Sequence, residues 1–170
     1  RVMQTIRLFS PDVEVYSIDE AFIKLDGLKG RNHEEVMRQM RAAILLWTGI
    51  PVSIGIGKTK TLAKLANHYA KQNPRMRGVA RVPHPPGEML QAVEIEDVWG
   101  IGRKWSEKLR NIGIKTAFDL ASMNSENIRR SFNIIAMKTA MELRGHAHFR
   151  LEQTPEQRKT LLRSRSFAKP

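Results

Sequence analysis

The sequence has no cysteine, few aromatic residues and no long apolar segment. Without cysteine, the chain cannot form disulfides or hold zinc or an iron–sulfur cluster through thiolates. No apolar run approaches the roughly 18 residues of a membrane span, and the first residues lack the basic and apolar regions of a signal peptide. We therefore expect a soluble protein that does not span a membrane, compatible with a reducing cytoplasm.

Acidic residues are scarce relative to basic ones, with 17 Asp and Glu against 29 Lys and Arg and a net charge of +12. Residues 1–96 carry 14 basic and 10 acidic side chains, whereas residues 97–170 carry 15 and 7. This imbalance predicts a polyanionic partner, either nucleic acid or an anionic membrane surface. The larger excess in the second part indicates a separate module that holds DNA.

The first half of the chain has alternating strand and helix patterns. We expect strands at 12–17, 21–25, 51–55 and 78–82, and helices at 1–10, 32–47 and 59–72. Asn32 is a suitable N-cap for the second helix, and Val36, Met40, Ile44 and Trp47 have the spacing of its buried stripe. The order predicts an α+β fold, in which helices cover one face of a mixed sheet.

The second half is predicted to be helical after a linker at 83–87, which is rich in proline. We expect helices at 88–92, 96–99, 103–112, 116–122, 125–131 and 133–144. Gly145 is the expected C-terminal cap of the last one.

Two adjacent carboxylates, Asp19 and Glu20, lie at the tip of the predicted hairpin. Carboxylate oxygens are the ligands that Mg²⁺ prefers. Neighbouring side chains of a regular strand point to opposite faces, so both could serve one metal only at a bend or with a third carboxylate. The alternative is that they are two solvated turn residues.

The first Gly-Ile-Gly segment (residues 55–57) precedes a predicted helix that carries Lys60, Lys64 and Lys71. A P-loop is disfavoured, because Val52 stands where that motif needs glycine. The pattern is still typical of a phosphate-binding helix N-terminus, and the alternative is a solvated basic helix face.

The second Gly-Ile-Gly segment (residues 100–102) is followed by Arg103 and Lys104. Its glycines would let backbone N–H groups approach a phosphate, and its basic residues add charge. This helix-hairpin-helix pattern predicts that Gly100, Ile101, Gly102, Arg103 and Lys104 hold the DNA backbone without reading sequence.

In this order, the motifs resemble those of Y-family translesion DNA polymerases. The segments concerned are Tyr16-Ser17-Ile18-Asp19-Glu20-Ala21-Phe22, Ser53-Ile54-Gly55-Ile56-Gly57, Thr61-Leu62-Ala63-Lys64-Leu65-Ala66-Asn67, Val98-Trp99-Gly100-Ile101-Gly102 and Gly113-Ile114-Lys115-Thr116-Ala117-Phe118-Asp119-Leu120. Three others favour the UmuC branch over its DinB rival: Phe132-Asn133-Ile134, Glu142-Leu143-Arg144-Gly145 and Ser164-Arg165-Ser166-Phe167.

The resemblance implies a role for each candidate residue. Asp19 and Glu20 would be catalytic ligands of two Mg²⁺ ions, and Lys71 would contact the triphosphate of the incoming nucleotide. Residues 1–84 would be a partial palm, 85–150 a helical thumb with the helix-hairpin-helix, and 151–170 a linker and the start of a little-finger domain.

The resemblance also implies what this chain lacks. The family's opening strand, with its first catalytic aspartate, is missing, as are the fingers and most of the little finger. We therefore expect a fragment of an error-prone polymerase of the SOS response, inactive by itself. Its expected partners are primer-template DNA, dNTPs, a processed UmuD dimer, a RecA filament and the sliding clamp.

Two other functions are compatible with the same residues. A non-enzymatic helix-hairpin-helix module would explain the charge and the second Gly-Ile-Gly segment, but it leaves Asp19 and Glu20 without a role. A nuclease would use the acid pair for hydrolysis.

Overall fold

The computed structural model describes residues 1–152. Its helices are α1 (Val2–Phe9), α2 (His33–Thr48), α3 (Lys60–Gln72), α4 (Gly87–Gln91), α5 (Arg103–Asn111), α6 (Ala117–Ser122), α7 (Ser125–Ser131) and α8 (Ile134–Leu143). Its strands are β1 (Val13–Val15), β2 (Ala21–Ile23), β3 (Ile54–Ile56) and β4 (Val79–Arg81). The motif at 164–167 lies outside the described residues. None of the helices within residues 1–152 is both long and apolar enough to cross a membrane.

The strands form two small sheets. Strands β1 and β2 pair antiparallel, with Glu14 opposite Phe22, and β3 and β4 pair in parallel, with Gly55 opposite Ala80. The α+β class is confirmed, with one correction to the expected single mixed sheet. No hydrogen-bonded ladder joins β2 to β3 in the described part of the chain, because a cleft separates these two strand edges.

Helix α2 begins and ends where its sequence predicts. The Asn32 side chain accepts hydrogen bonds from the N–H groups of Glu34 and Glu35, and Gly49 ends the helix with φ +71°. The expected buried stripe is wrong at Trp47, which is 54% exposed. The last turn of α2 extends beyond the packed elements, and Leu46 is exposed there as well.

The described residues form two hydrophobic cores, and α3 lies against β3, which contributes Ile56 to the first core. The first lies between α1, α2 and the sheets, and includes Met37 and Ile44. The second contains Leu62, Leu65 and Ala66 of α3 together with buried side chains of the helices that follow residue 84. Helix α3 therefore fixes the helical half of the chain against the half that carries the acid pair.

Candidate active site and nucleic-acid interface

The acid pair, Asp19 and Glu20, lies where the hairpin leaves its regular ladder. The N–H groups of Tyr16 and Ser17 both donate to the carbonyl of Glu20, at 3.0 and 3.1 Å, and the intervening backbone bends. The Ser17 hydroxyl donates to Asp19 Oδ1 at 2.8 Å. The strict alternation of side chains therefore does not apply to the pair.

Only one member of the acid pair lines the cleft. Glu20 is half-buried and forms an ion pair with Lys64 of α3, and it borders a cleft of about 1380 Å³ between β2, β3 and α3. Asp19 is exposed and is not among the described residues that line the cleft. Within residues 1–152, no group of three or more Asp, Glu or His side chains is placed to hold a metal ion.

A second ion pair ties α3 to the hairpin and was not predicted from the sequence. Lys60 Nζ lies 2.5 Å from Glu14 Oε2, and the two side chains are only 11% and 9% exposed. The Lys60 ammonium also lies 5.1 Å above the Phe22 ring. The alternation of strand β1 places Glu14 on the face opposite Val13 and Val15, so no local signal marked it as buried. Its partner on α3 is 46 residues away.

Lys71 does not contact the acid pair. It is exposed in the last turn of α3, seven residues after Lys64, which corresponds to about 10 Å along the helix axis. The two side chains project on a similar side of the helix, since seven residues complete nearly two turns. Helix α3 thus presents a basic edge that continues beyond Glu20.

The glycines of the first Gly-Ile-Gly segment allow close packing of α3 on β3. A Cβ atom at Gly55 would lie 2.0 Å from the carbonyl oxygen of Ala63, and one at Gly57 would lie 2.6 Å from the Ala63 nitrogen. Real Cβ atoms essentially never approach so closely. These glycines are therefore explained by packing, because they face the protein's own backbone.

The N-terminus of α3 is occupied by the carboxylate of Glu142, which is fully buried. Its Oε2 accepts from the Thr61 N–H at 2.9 Å, and its Oε1 accepts from the N–H groups of His148 and Phe149 at 2.7 and 2.9 Å. The Thr59 hydroxyl, the N-cap of α3, donates to the Glu142 carbonyl at 2.9 Å. An internal anion thus takes the position that a phosphate would need.

Arg144 makes a similar internal connection two residues later. Its Nε donates to the Ala121 carbonyl at 2.6 Å, and its Nη1 donates to the Ser125 hydroxyl at 2.6 Å. These contacts hold the junction between α6 and α7. The sequence marked Glu142 and Arg144 only through a family resemblance, which did not reveal these partners.

The second Gly-Ile-Gly segment is open to solvent at its C-terminal end. Gly100 has φ +87°, Ile101 is buried and donates its N–H to the Val98 carbonyl, and Gly102 is the N-cap of α5. No side chain caps this helix. The Arg103 side chain is 92% exposed and pairs with Glu107, and Lys104 is exposed.

These five residues therefore divide into two groups. The buried side chain of Ile101 and the turn at Gly100 fix the loop, whereas Gly102, Arg103 and Lys104 lie at an uncapped, basic helix N-terminus. Such an end favours a phosphate oxygen, because N–H groups of the first turn lack partners within the helix.

An aromatic cluster connects this loop to the acid pair. Trp99 contacts Tyr16, Phe22 and Phe149, with ring centroids 5.6, 5.7 and 5.4 Å away. The Trp99 indole also donates to the Tyr16 hydroxyl at 3.3 Å. Because Trp99 precedes Gly100 and Tyr16 precedes the hairpin tip, the cluster fixes the two candidate sites relative to each other.

An ion-pair network supports α5 from the other side. Arg110 Nη2 lies 2.8 Å from Glu94 Oε2 and 2.7 Å from Glu96 Oε2. The hydrogen bond from this guanidinium lowers the pKa of the Glu96 carboxyl.

Two sequence comparisons identify relatives. Residues 1–68 match the profile of the impB/mucB/samB family. The chain is 43% identical over 171 residues to the UmuC protein of Salmonella typhimurium strain LT2, in an alignment that covers 98% of this chain and 40% of that protein. It is 35% identical over 130 residues to DNA polymerase IV of Picrophilus torridus, covering 76% of this chain and 36% of that protein. The chain thus spans about 40% of the length of the UmuC protein it matches.

Solved structures share the fold. A DinB-family error-prone DNA polymerase from Sulfolobus solfataricus matches with a TM-score of 0.72 and 25% identity, over 89% of this chain and 46% of that one. An insertion ternary complex of Dbh DNA polymerase also gives a TM-score of 0.72, at 24% identity over 89% and 44% of the two chains.

Proposed function

From the premise that this chain is a relative of the UmuC-type Y-family DNA polymerases, we propose that it is the part of a translesion DNA polymerase that carries two catalytic carboxylates and a DNA-holding hairpin. One observation supports this function above others. The bent tip with Asp19 and Glu20 and the uncapped basic end of α5 are held together through the contact between Tyr16 and Trp99.

The acid pair would be the protein's ligands for magnesium. Glu20 already binds a cation, the Lys64 ammonium, at the border of the cleft, and the bend frees both carboxylates from opposite-face alternation. Bound magnesium would activate a primer 3′-hydroxyl and neutralise charge on a triphosphate. Two carboxylates fit such an ion but leave its oxygen coordination incomplete.

The cleft is lined in the way expected of a space that a further strand, with a third carboxylate, would fill. Ala21–Ile23 of β2 and Ile54–Ile56 of β3 both border it, and each strand is paired on one side only within residues 1–152. The apolar side chains of Met37 and Met40 also face this space. In the complete protein, a strand here would join the two small sheets and bring its carboxylate to the acid pair.

The remaining roles follow the same division of the chain. Residues 1–84 would act as part of a palm, 85–150 as a thumb, and 151–170 as a linker and the start of a little-finger domain. Lys71 would contact the triphosphate of a dNTP from the exposed edge of α3. Gly100, Ile101, Gly102, Arg103 and Lys104 would form the hairpin on primer-template DNA, with Ile101 acting as the buried anchor.

The proposed setting is the cytoplasm of a cell in its SOS response. By the resemblance to the UmuC branch, the protein would work with a processed UmuD dimer, a RecA filament and the sliding clamp. No surface of the described residues is assigned to these partners.

The test is primer extension by a polypeptide that extends this chain to the full length of its relatives. With Mg²⁺ and all four dNTPs, Asp19→Ala and Glu20→Ala should each lower incorporation by about a thousandfold, since a metal site supplies several kcal/mol of charge stabilisation. Duplex binding should remain. Glu35→Ala, at an exposed position on α2, is the matched control and should extend primers normally.

Near-normal extension by either variant would overturn the assignment. Cleavage of DNA without incorporation would indicate the nuclease, and binding without either reaction would indicate the non-enzymatic module. Residues 1–170 by themselves are expected to show no, or barely detectable, synthesis, because no third carboxylate joins the acid pair within residues 1–152.

A further inference from the structure

A cluster of four arginines lies on the surface formed by α2 and the turn that precedes β4. It has no role in the proposed polymerase site. Arg38 and Arg41 project from α2, and Arg75 and Arg77 come from the turn that precedes β4. Together they line a surface depression of about 490 Å³. This volume lies within the range of small-ligand sites, about 300–1,000 Å³.

The cluster lacks the carboxylates that would neutralise it. Arg38 lies 3.5 Å from Glu34, four residues earlier on the same helix. Among the described residues, no carboxylate forms an ion pair with Arg41, Arg75 or Arg77. Like charges repel, so four guanidinium groups around one depression favour a bound anion.

Two of the arginines are held in place by the backbone. Arg41 Nε donates to the Val52 carbonyl at 2.9 Å, and its side chain lies so close to Gly78 that a Cβ atom there would be 2.4 Å from Arg41 Nε. Arg77 has φ +51°, and within residues 1–152 it is the one residue other than glycine with a positive φ. A bulky residue rarely adopts this conformation, which here turns the chain back at the mouth of the depression.

We propose that this four-arginine depression binds a ligand with more than one phosphate group. Guanidinium groups donate in a planar fork that matches phosphate oxygens. Four of them offer more N–H donors than the two oxygens of a single carboxylate can accept. The ligand is an oligophosphate, present either as a free polyphosphate or as consecutive phosphodiesters of a nucleic acid. This site is separate from the second Gly-Ile-Gly segment and does not depend on the polymerase proposal.

The test compares two double variants of the 170-residue chain that lose the same charge. Arg75→Gln with Arg77→Gln removes half of the cluster. Arg7→Gln with Arg31→Gln is the matched control, because both residues are exposed in the same half of the chain. Tripolyphosphate binding is measured by calorimetry, and binding of a labelled single-stranded oligonucleotide by fluorescence anisotropy, both at low salt.

The cluster variant should bind tripolyphosphate about tenfold more weakly, since it loses charge-assisted hydrogen bonds, whereas the control should change by less than about twofold. A loss confined to the oligonucleotide would identify the nucleic-acid backbone as the source of the phosphates. Equal binding by both double variants in both measurements would overturn the site.

Arg38→Gln guards against misfolding, because it changes an exposed side chain in a regular helix. It should weaken the same ligand by about threefold without altering the circular dichroism melt. If Arg38→Gln and the cluster variant both bind like the control, no phosphate site exists here.

Discussion

The two Gly-Ile-Gly segments have the same three letters, the same position before a basic helix and opposite environments. At residues 55–57, the glycines pack against α3 and the helix N-terminus holds the buried carboxylate of Glu142. At residues 100–102, a Cβ atom at Gly102 would meet nothing within 4 Å, and α5 has no capping side chain. The first segment is closed by the protein, and the second is available to a ligand.

The same motif favours phosphate binding in both places, but its glycines serve packing in the first segment and leave a helix N-terminus open in the second. A helix N-terminus attracts an anion whatever its source. A carboxylate of the protein that binds there therefore occupies the N–H groups that a ligand anion would need. At α3, Glu142 comes from α8, which packs on α3 in the second core. Four predictions test the contrast, in order of decreasing effect.

Replacement of Glu142 by alanine should reduce the free energy of unfolding most, by about 3–5 kcal/mol. Three backbone N–H groups would lose their acceptor, the Thr61 N–H being buried and those of His148 and Phe149 partly buried. A buried, unsatisfied donor is destabilising by about 1–3 kcal/mol. Urea unfolding of the 170-residue chain measures the loss. Glu107→Ala, at a side chain that is 61% exposed, is the control and should change stability by less than about 0.5 kcal/mol. A loss under about 1 kcal/mol for Glu142→Ala would mean that the α3 end is not closed as described.

Alanine substitution of one glycine in each segment should give unequal results. Gly55→Ala places a methyl group against the backbone of α3 and should destabilise the chain by about 3 kcal/mol, at the upper end of overpacking effects. Gly102→Ala has free space and an ordinary φ of −80°, so its loss should stay below about 1 kcal/mol. Thermal unfolding of both variants decides the point, and equal losses would contradict the assigned difference.

Lysine replacement should affect DNA binding at only one of the two helices. Lys104→Gln should weaken binding to a short duplex by several-fold and reduce the slope of log K against log salt by about 0.9, as for one lost phosphate contact. Lys58→Gln removes the same charge beside the first segment and should leave the slope unchanged. Anisotropy titrations between low and moderate salt test this pair, and equal slopes would remove the distinction.

The smallest effect on stability is expected at α6, because residues of this helix cap its own N-terminus. Thr116 and Asp119 form a capping box, and hydrogen bonds from the N–H groups of Lys115 and Thr116 lower the pKa of the Asp119 carboxyl. A pKa below the unfolded value means that the stabilisation is present at neutral pH and is lost as pH falls through the folded-state pKa.

The Asp119→Asn variant should therefore be less stable than the parent by about 0.5 kcal/mol at pH 7. The difference should shrink below about pH 4, near the unfolded pKa of aspartate. Urea unfolding at several pH values measures it, and a difference that grows on acidification would have the wrong sign.

Local structure was predictable where a local cause exists. The Asn32 cap begins α2 as expected, and the helix ends at Thr48, one residue after its predicted end. The helices of the second half begin within a few residues of their predicted starts because Thr116, Asn124 and Asn133 cap them. The turn at 95–97 is a 3-10 helix instead of the expected α-helix over 96–99. The hairpin tip was also placed correctly, since its strands alternate and its acid pair interrupts them.

The candidate site was predictable only in part. The motif marked Asp19, Glu20 and the second Gly-Ile-Gly segment, but not their connection through Tyr16 and Trp99, which are 83 residues apart. The partners of Glu14 and Glu142 were missed for the same reason, since each buried carboxylate is satisfied by a distant segment.

By itself, the sequence determined the elements, their caps and the basic character of α3 and α5, because propensity, capping and charge act over a few neighbouring residues. The tertiary structure alone decided which helix N-terminus is open. That choice depends on whether a carboxylate from elsewhere in the chain reaches the free N–H groups first, and only packing brings Glu142 to α3 and leaves α5 exposed.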